Sequence, residues 1–376
     1  MSRWLQWCEN ILWHMVDFQT GLFSYSTRIE NGHYRNDFTH PLRIRYTVNT
    51  YAGLLRARSF LQKDWDVPGL FEKFLQTYPV ENPGDQGLLL LVLTDYDPDR
   101  ALEWFHTIQS TVTNPVVLAQ RPVQELCWLL WGITALAHRT QYELATEQAH
   151  ALWKLIHKDF FCRDSLFPYH QHQWYRKRFV SFGALTYFLR ASFSYAKVFQ
   201  DRYVQVIAEE LTKRLIQQQG HRGEWGWFYD VYRGCLVEWY PVYSVHQDSM
   251  AMLFLFPALD AGVAEAELAI ERSFRWLLGE NDLNTPMLRS NPPLIYRSIH
   301  RAEPMEAGLR LLRAWKNALL DRSPQFASAQ QLQINTECRS YHIGWILYVW
   351  SNRLRQLPSS VEKFLSNEVQ VQEKNL

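Results

Sequence analysis

Acids, an imidazole and several aromatic rings crowd together between residues 219 and 248. The stretch Gln219-Gly-His-Arg-Gly-Glu-Trp-Gly-Trp-Phe-Tyr-Asp230 supplies Glu224, Tyr229 and Asp230. The stretch Trp239-Tyr-Pro-Val-Tyr-Ser-Val-His-Gln-Asp-Ser-Met250 supplies Tyr243, His246 and Asp248 just before an apolar run. Two carboxyls on either side of a glycosidic bond can protonate the leaving oxygen and activate a water or attack directly. Epimerisation needs a proton acceptor on one face of a sugar and a donor on the other, roles that His or Tyr can fill. Glu224, Asp230, His246, Asp248 and Tyr243 are therefore candidate catalytic residues. Trp225, Trp227 and Tyr229 are candidate surfaces for a sugar ring. A purely structural account also exists: Asp230 as a turn cap, and Asp248 in a first helical turn favoured by the dipole.

Three further groups have the right chemistry for a binding pocket. In Arg297-Ser-Ile-His-Arg301, Arg297, His300 and Arg301 can grip a carboxylate or phosphate through paired hydrogen bonds, or serve as solvated loop charges. Arg45 and Tyr46 open one apolar helix, and Glu337, Tyr341 and His342 open another. All would meet at one mouth if these helices stand in a ring.

Positioning such residues falls to helices. Trp4, Trp7, Cys8, Ile11, Leu12 and Met15 recur at three- and four-residue steps, the mark of an amphipathic helix. Similar mixed segments span 99–110, 141–159, 202–219, 264–278 and 304–320. Between them lie segments apolar almost all round, at 46–60, 123–137, 179–199, 246–259 and 342–354. A helix without a polar face must be covered on every side, so the alternation predicts an inner ring of helices inside an outer one. Aromatic–glycine turns recur at 21–25, 165–169 and 223–229, each leading towards an apolar helix, as in a degenerate helical-hairpin repeat. A single all-α domain over 1–357 is expected, with 358–376 as a frayed polar tail.

This alternation resembles the double-ring (α/α)6 toroids. Gln219-x3-Gly223-x-Trp225 is similar to the Gln/Trp repeat of terpenoid cyclases. The wider pattern is the aromatic loop, then Tyr243-Ser-Val-His-Gln-Asp248, then Trp276-Leu-Leu-Gly-Glu-Asn-Asp-Leu283. It looks more like the toroids that act on sugars, such as uronate epimerases and glycosidase-like proteins. The resemblance implies a carbohydrate-active enzyme taking a small-molecule or oligosaccharide substrate. A carbocation-sheltering cyclase and a toroid that binds without catalysis are the alternatives.

Composition narrows the partners. A net charge of +1 provides no field to gather nucleic acid. The basic run 170–178 mixes with rings but is one short patch. The apolar stretches 87–94 and 251–259 are too short to span a bilayer. Five scattered Cys without a C-x-x-C suit a reducing compartment. With no signal-like run at residues 1–10, a cytoplasmic protein is expected. Aromatics make up 15% of the chain, enough to line a ligand cleft. No cofactor is expected, and neither Cys338/His342 nor His170/His172 completes a metal site. In Asp95-Tyr-Asp-Pro-Asp99, Pro98 breaks the acidic cyclase motif, and Asp97 reads instead as a helix cap before Pro98.

Overall fold

The computed structural model describes residues 2–171 and 177–373. Its helices pair into six hairpins, each an outer helix followed by an inner one. In chain order these are α1 (Arg3–Trp13) with α2 (Arg43–Ala57), then α3 (Val67–Thr77) with α4 (Pro83–Tyr96). Next come α5 (Pro98–Val112) with α6 (Val123–Thr140), and α7 (Glu143–Asp159) with α8 (Phe182–Phe199). The fifth is α9 (Arg202–Gln217) with α10 (Met252–Asp260). In the sixth, α11 (Glu265–Leu277) pairs with α13 (Ser340–Trp350), and α12 (Glu306–Leu319) intervenes. Neighbouring inner helices pack side by side, α13 contacts both α2 and the turn that leads into α10, and the ring closes. The fold is the double-ring toroid anticipated from the apolar alternation.

The hairpin α3/α4 escaped the periodicity reading, although the apolar stretch 87–94 was visible. Turn-forming residues sit at the start of both helices. Pro68 and Gly69 occupy the first turn of α3, where Asp66 accepts from the Gly69 N–H, and Asn82 caps α4 ahead of Pro83 and Gly84. The expected cap at Asp97 is present, accepting from the Arg100 N–H at 3.2 Å.

Two expectations need correction. The amphipathic segment 304–320 is not an outer-ring helix: α12 leaves the ring and packs on the strand Cys235–Glu238. Its apolar residues include the exposed Leu312 and Leu319, so its period reflects no burial against the ring. The tail after Pro358 is not frayed, since Ser359–Glu373 is helical. Its Val361 and Leu365 are buried, and this helix packs on α1 and α11. The loops on the mouth side also fold into small antiparallel sheets, such as Phe179–Ser181 against Phe228–Asp230 against Cys235–Glu238.

Glycines let inner helices touch backbone to backbone. Where first and last inner helices meet, a Cβ on Gly344 would stand 2.5 Å from the Thr50 Cα, and one on Gly53 would overlap the Gly344 carbonyl. Gly87 and Gly132 make the same contact between α4 and α6. Gly344→Ala should therefore overpack the closing seam and cost about 1–3 kcal/mol or more. Gly308→Ala, on exposed α12 with nothing within 4 Å of a new Cβ, should be neutral or stabilising by its better helix propensity. Thermal melts followed by circular dichroism check the pair, and equal midpoints for the two variants would refute the tight seam.

Candidate active site

Every inner helix begins at the same face of the toroid, so their first turns surround one mouth. Partial positive charge gathers there from the helix dipoles, and acids answer it: Asp85, Glu125 and Asp248 all lie in first turns. Asp85 and Glu125 converge on Arg45 from the first turn of α2, at 2.5 and 2.8 Å. Burial nonetheless pushes Asp85 up to about 6, Arg45 only partly offsetting it. The Arg45 guanidinium also lies over the Trp128 ring at 4.9 Å.

The chain enters α10 through a turn of π-helix, His246–Met250, closed by the Ala251 N–H donating to the His246 carbonyl at 3.3 Å. Such bulges re-aim side chains and cluster at functional sites. Here the bulge brings two side chains to the hub. Asp248 is fully buried and faces His342 on α13, both carboxylate oxygens lying 2.8 Å from Nε2. The Trp350 indole donates to the Asp248 carbonyl at 2.7 Å and fixes the turn. His246 is the second imidazole, and its buried Nδ1 has no partner among the described residues. Burial, then the neighbouring His342, pull its pKa down to about 3, so the ring is neutral.

Rings and cations frame this pair. Trp227 lies parallel to His246 with centroids 6.0 Å apart, and Tyr243 is 5.2 Å from His246. Arg297 lies over Tyr243, and Arg310, carried by α12, lies over Trp227 at 5.4 Å. On the other side Tyr46 and Tyr341 meet at 4.4 Å. Burial raises both phenols well above their ordinary value, so they keep their protons and act as donors. Glu337 holds Arg28, Arg297 and Arg339 together. Burial alone would raise its pKa, but these three cations outweigh it and keep the carboxylate below its usual range. Arg339 in turn stacks over Tyr25 at 3.7 Å.

Of the residues singled out in the sequence, His246, Asp248, His342, Tyr243, Trp227, Arg45, Tyr46, Tyr341, Arg297 and Glu337 thus assemble around one mouth. The others are engaged elsewhere. Asp230 pairs with Arg178 at 2.8 Å and accepts from the N–H groups of Tyr232 and Arg233, capping its hairpin. Trp225 is buried against Phe182 and donates to Ser273 at 2.9 Å. Tyr229 is buried beside Phe167. His300 meets Gln333 across a strand pair. Glu224 is sealed under the 220–224 turn, where it accepts from the Arg222 N–H at 2.9 Å. The basic run 170–178 falls partly outside the described residues, His172 included.

The Gln219/Gly223/Trp225 motif has a mechanical explanation. Gln219 donates to the carbonyls of Gly223 and Ala269 and to the Ser273 hydroxyl, which also receives the Trp225 indole. The motif therefore staples the loop to α11. Gly223 has φ +101, and a Cβ there would strike the Arg272 carbonyl, so no other residue fits. With its amide oriented to match donors to acceptors, Gln247 completes the staple, its nitrogen facing the Gly223 carbonyl at 3.0 Å and its oxygen the Trp225 N–H at 3.3 Å.

No protein-family model matches the sequence, and no curated protein matches it significantly. Solved structures do match in fold. One is the cellobiose 2-epimerase from Bacillus thermoamylovorans B4167, with a TM-score of 0.63 at 14% identity, covering 91% of this chain and 95% of that one. The fold is the (α/α)6 toroid. A sugar epimerase from a ruminal bacterium aligns with a TM-score of 0.61 at 9% identity over 92% of this chain and 96% of its own. An unsaturated glucuronyl hydrolase specific for heparin aligns with a TM-score of 0.55 at 13% identity, over 96% and 98%. Among the described residues of this toroid, no helix is long and apolar enough to cross a membrane.

Tyr25, Trp128, Arg310, Arg339 and the acid pair Asp85/Glu125 were not singled out in the sequence. Only the acids carried a signal there, since each sits in the first turn of an apolar helix. Glu224, away from the mouth, carries a pH-dependent stability of its own. Desolvation raises its pKa to about 7. A raised carboxyl contributes stability that is complete below the unfolded value near 4.5 and is lost as pH rises through 7. Glu224→Gln removes that ionisation. It should be more stable than the wild type at pH 8, by up to about 3 kcal/mol, and no more stable at pH 4, below the unfolded value. Urea denaturation at the two pH values checks this, and a pH-independent difference would contradict it.

Proposed function

We propose that this chain is a carbohydrate-active enzyme that epimerises or isomerises a sugar at the carbon beside its carbonyl. The observation that carries the reading is the pair of buried imidazoles, His246 and His342, at the floor of a mouth whose carboxylates are matched to cations or to His342. Hydrolysis by two carboxyls requires one free acid and one free base facing the same bond. Asp85 and Glu125 share Arg45, Glu337 is held by arginines, Asp230 by Arg178, and Asp248 by His342. Asp85, pushed up to about 6, is still engaged by Arg45, and the imidazoles are favoured because His246 keeps a nitrogen with no partner among the described residues.

In this reading one imidazole takes the proton from the carbon next to the carbonyl, leaving an enediolate. The other returns a proton to the opposite face, and the sugar leaves with that centre inverted. His246 suits the first role because its Nδ1 has no partner among the described residues. Asp248 fixes the orientation and tautomer of His342 and offsets the charge when that ring carries a proton. The enediolate charge is favoured by the converging helix N-termini. Tyr46 and Tyr341, kept protonated by burial, offer donors to hydroxyls, Trp227 offers a face for the ring, and Arg297 suits a carboxylate or phosphate substituent. The sugar epimerases among the structural matches support the reading through shared fold alone. The terpenoid-cyclase alternative is disfavoured because cations and ionised acids ring the mouth, whereas a carbocation needs a dry aromatic wall.

A panel of reducing mono- and disaccharides and uronates, incubated in D2O and followed by NMR, tests this. The accepted sugar should gain deuterium at the carbon beside the carbonyl as its epimer accumulates. His246→Asn and His342→Asn should each lower kcat about 10²–10⁴-fold. Cleavage of a glycosidic bond without deuterium uptake would replace this reading with a hydrolase. Binding without turnover would make the protein a sugar-binding toroid.

A further inference from the structure

Opposite the mouth, a cavity of about 820 Å3 opens between the C-terminal halves of the inner helices. Arg56, Asp95 and Arg139 lie near the ends of α2, α4 and α6, and Tyr348 lies late in α13. Indoles separate this space from the mouth: Trp131 stacks on Trp345 at 5.9 Å, with Tyr187 and Tyr348 against Trp345. The rear cavity is therefore a compartment of its own.

Its charge is unbalanced. Arg353 is held by Asp260. That leaves Arg56, Arg139, Arg190 and Lys197 against one other lining carboxylate, Asp95, which reaches Arg56 at 3.8 Å. Helix C-termini carry partial negative charge, which accounts for basic residues in last turns such as Arg56 and Arg139. It does not account for Arg190, which sits in the middle of α8. The Arg190 guanidinium lies over Trp131 at 4.6 Å and beside the Tyr348 hydroxyl, and its buried Nε has no partner among the described residues. Burial pulls its pKa below the ordinary arginine value. A buried cation without a matched anion is costly.

We propose that the rear cavity is a second binding site, for a small molecule bearing a phosphate or carboxylate group on a flat apolar body. Arg190 and Arg56 take the anion from either side of Tyr348, as planar guanidinium forks suit oxyanions. Trp131 and the adjacent apolar walls take the body. Arg139 at the rim raises the local concentration of anions. This site is independent of the reaction at the mouth and rests on none of its residues.

The test is isothermal titration of the full-length protein with phenyl phosphate, inorganic phosphate and benzoate, at fixed ionic strength in chloride. Saturable binding is expected, with phenyl phosphate tighter than inorganic phosphate because only the former fills the apolar wall. Arg190→Gln should weaken phenyl phosphate by roughly 10-fold or more. Should that variant not fold, Arg56→Gln and Arg139→Gln carry the test, with Arg56→Gln the weaker binder. His246→Asn at the mouth should leave the affinity unchanged. No saturable heat from any of the three anions would overturn the proposal. So would wild-type affinity in the folded arginine variants, or loss of binding in His246→Asn.

Discussion

Ring closure is the constraint on which everything else depends. The inner helices have no polar face, so each must be covered by two neighbours in the ring and an outer partner. That condition is met for the first and last of them only if they meet each other. Gly53 and Gly344 let α2 and α13 approach until backbone touches backbone. The chain reinforces the seam at the mouth. Thr27 and Cys338 exchange backbone hydrogen bonds at 2.9 and 2.8 Å, and Ser340 donates to the Ser24 carbonyl at 2.7 Å. These contacts join residues some three hundred positions apart, so closure must come late relative to the local hairpins.

Closure also creates the site. His342 opens the last inner helix and Asp248 the fifth, and only a shut ring brings them to 2.8 Å. The same holds for Tyr46 and Tyr341 across the seam. Because all inner helices start at one face, the mouth collects dipole ends that favour negative charge, and the opposite face collects ends that favour cations. The distribution follows that polarity: first-turn acids at the front, last-turn arginines at the rear. Arg190 departs from it, which is why the rear cavity stands out.

Much of this was legible in the sequence, for identifiable reasons. Strong apolar contrast exposed the ring helices 123–140 and 182–199, and runs of mixed polarity exposed their outer partners. Pro68, Gly69, Pro83 and Gly84 hid the second hairpin because helix starts there use turn residues. Helix α12 was visible but misplaced, since amphipathic period says that a face is apolar without saying what covers it. At the site, His246, Asp248 and Tyr243 could be picked out from their crowding near one helix start. Glu224 and Asp230 have the same residue types in the same crowd. Their commitments to the Arg222 N–H and to Arg178 are three-dimensional facts that spacing does not encode. Arg310 could not be read at all, because it reaches Trp227 from an excursion outside the repeat.

The choice of chemistry turns on how cations are spent. Asp85 and Glu125 sit in first turns close enough to resemble a hydrolytic acid pair, but Arg45 stands between them and binds both. Removing that guanidinium would leave two buried carboxyls to share a proton, as like charges in one site must. Glu337 faces three arginines and is held ionised, so it is a poor proton donor. Burial has the opposite effect on His246, holding it neutral without a partner. One architecture of helix starts can thus support acid–acid or imidazole chemistry, and on the proposed reading the placement of Arg45, Arg297 and Arg339 favours the second.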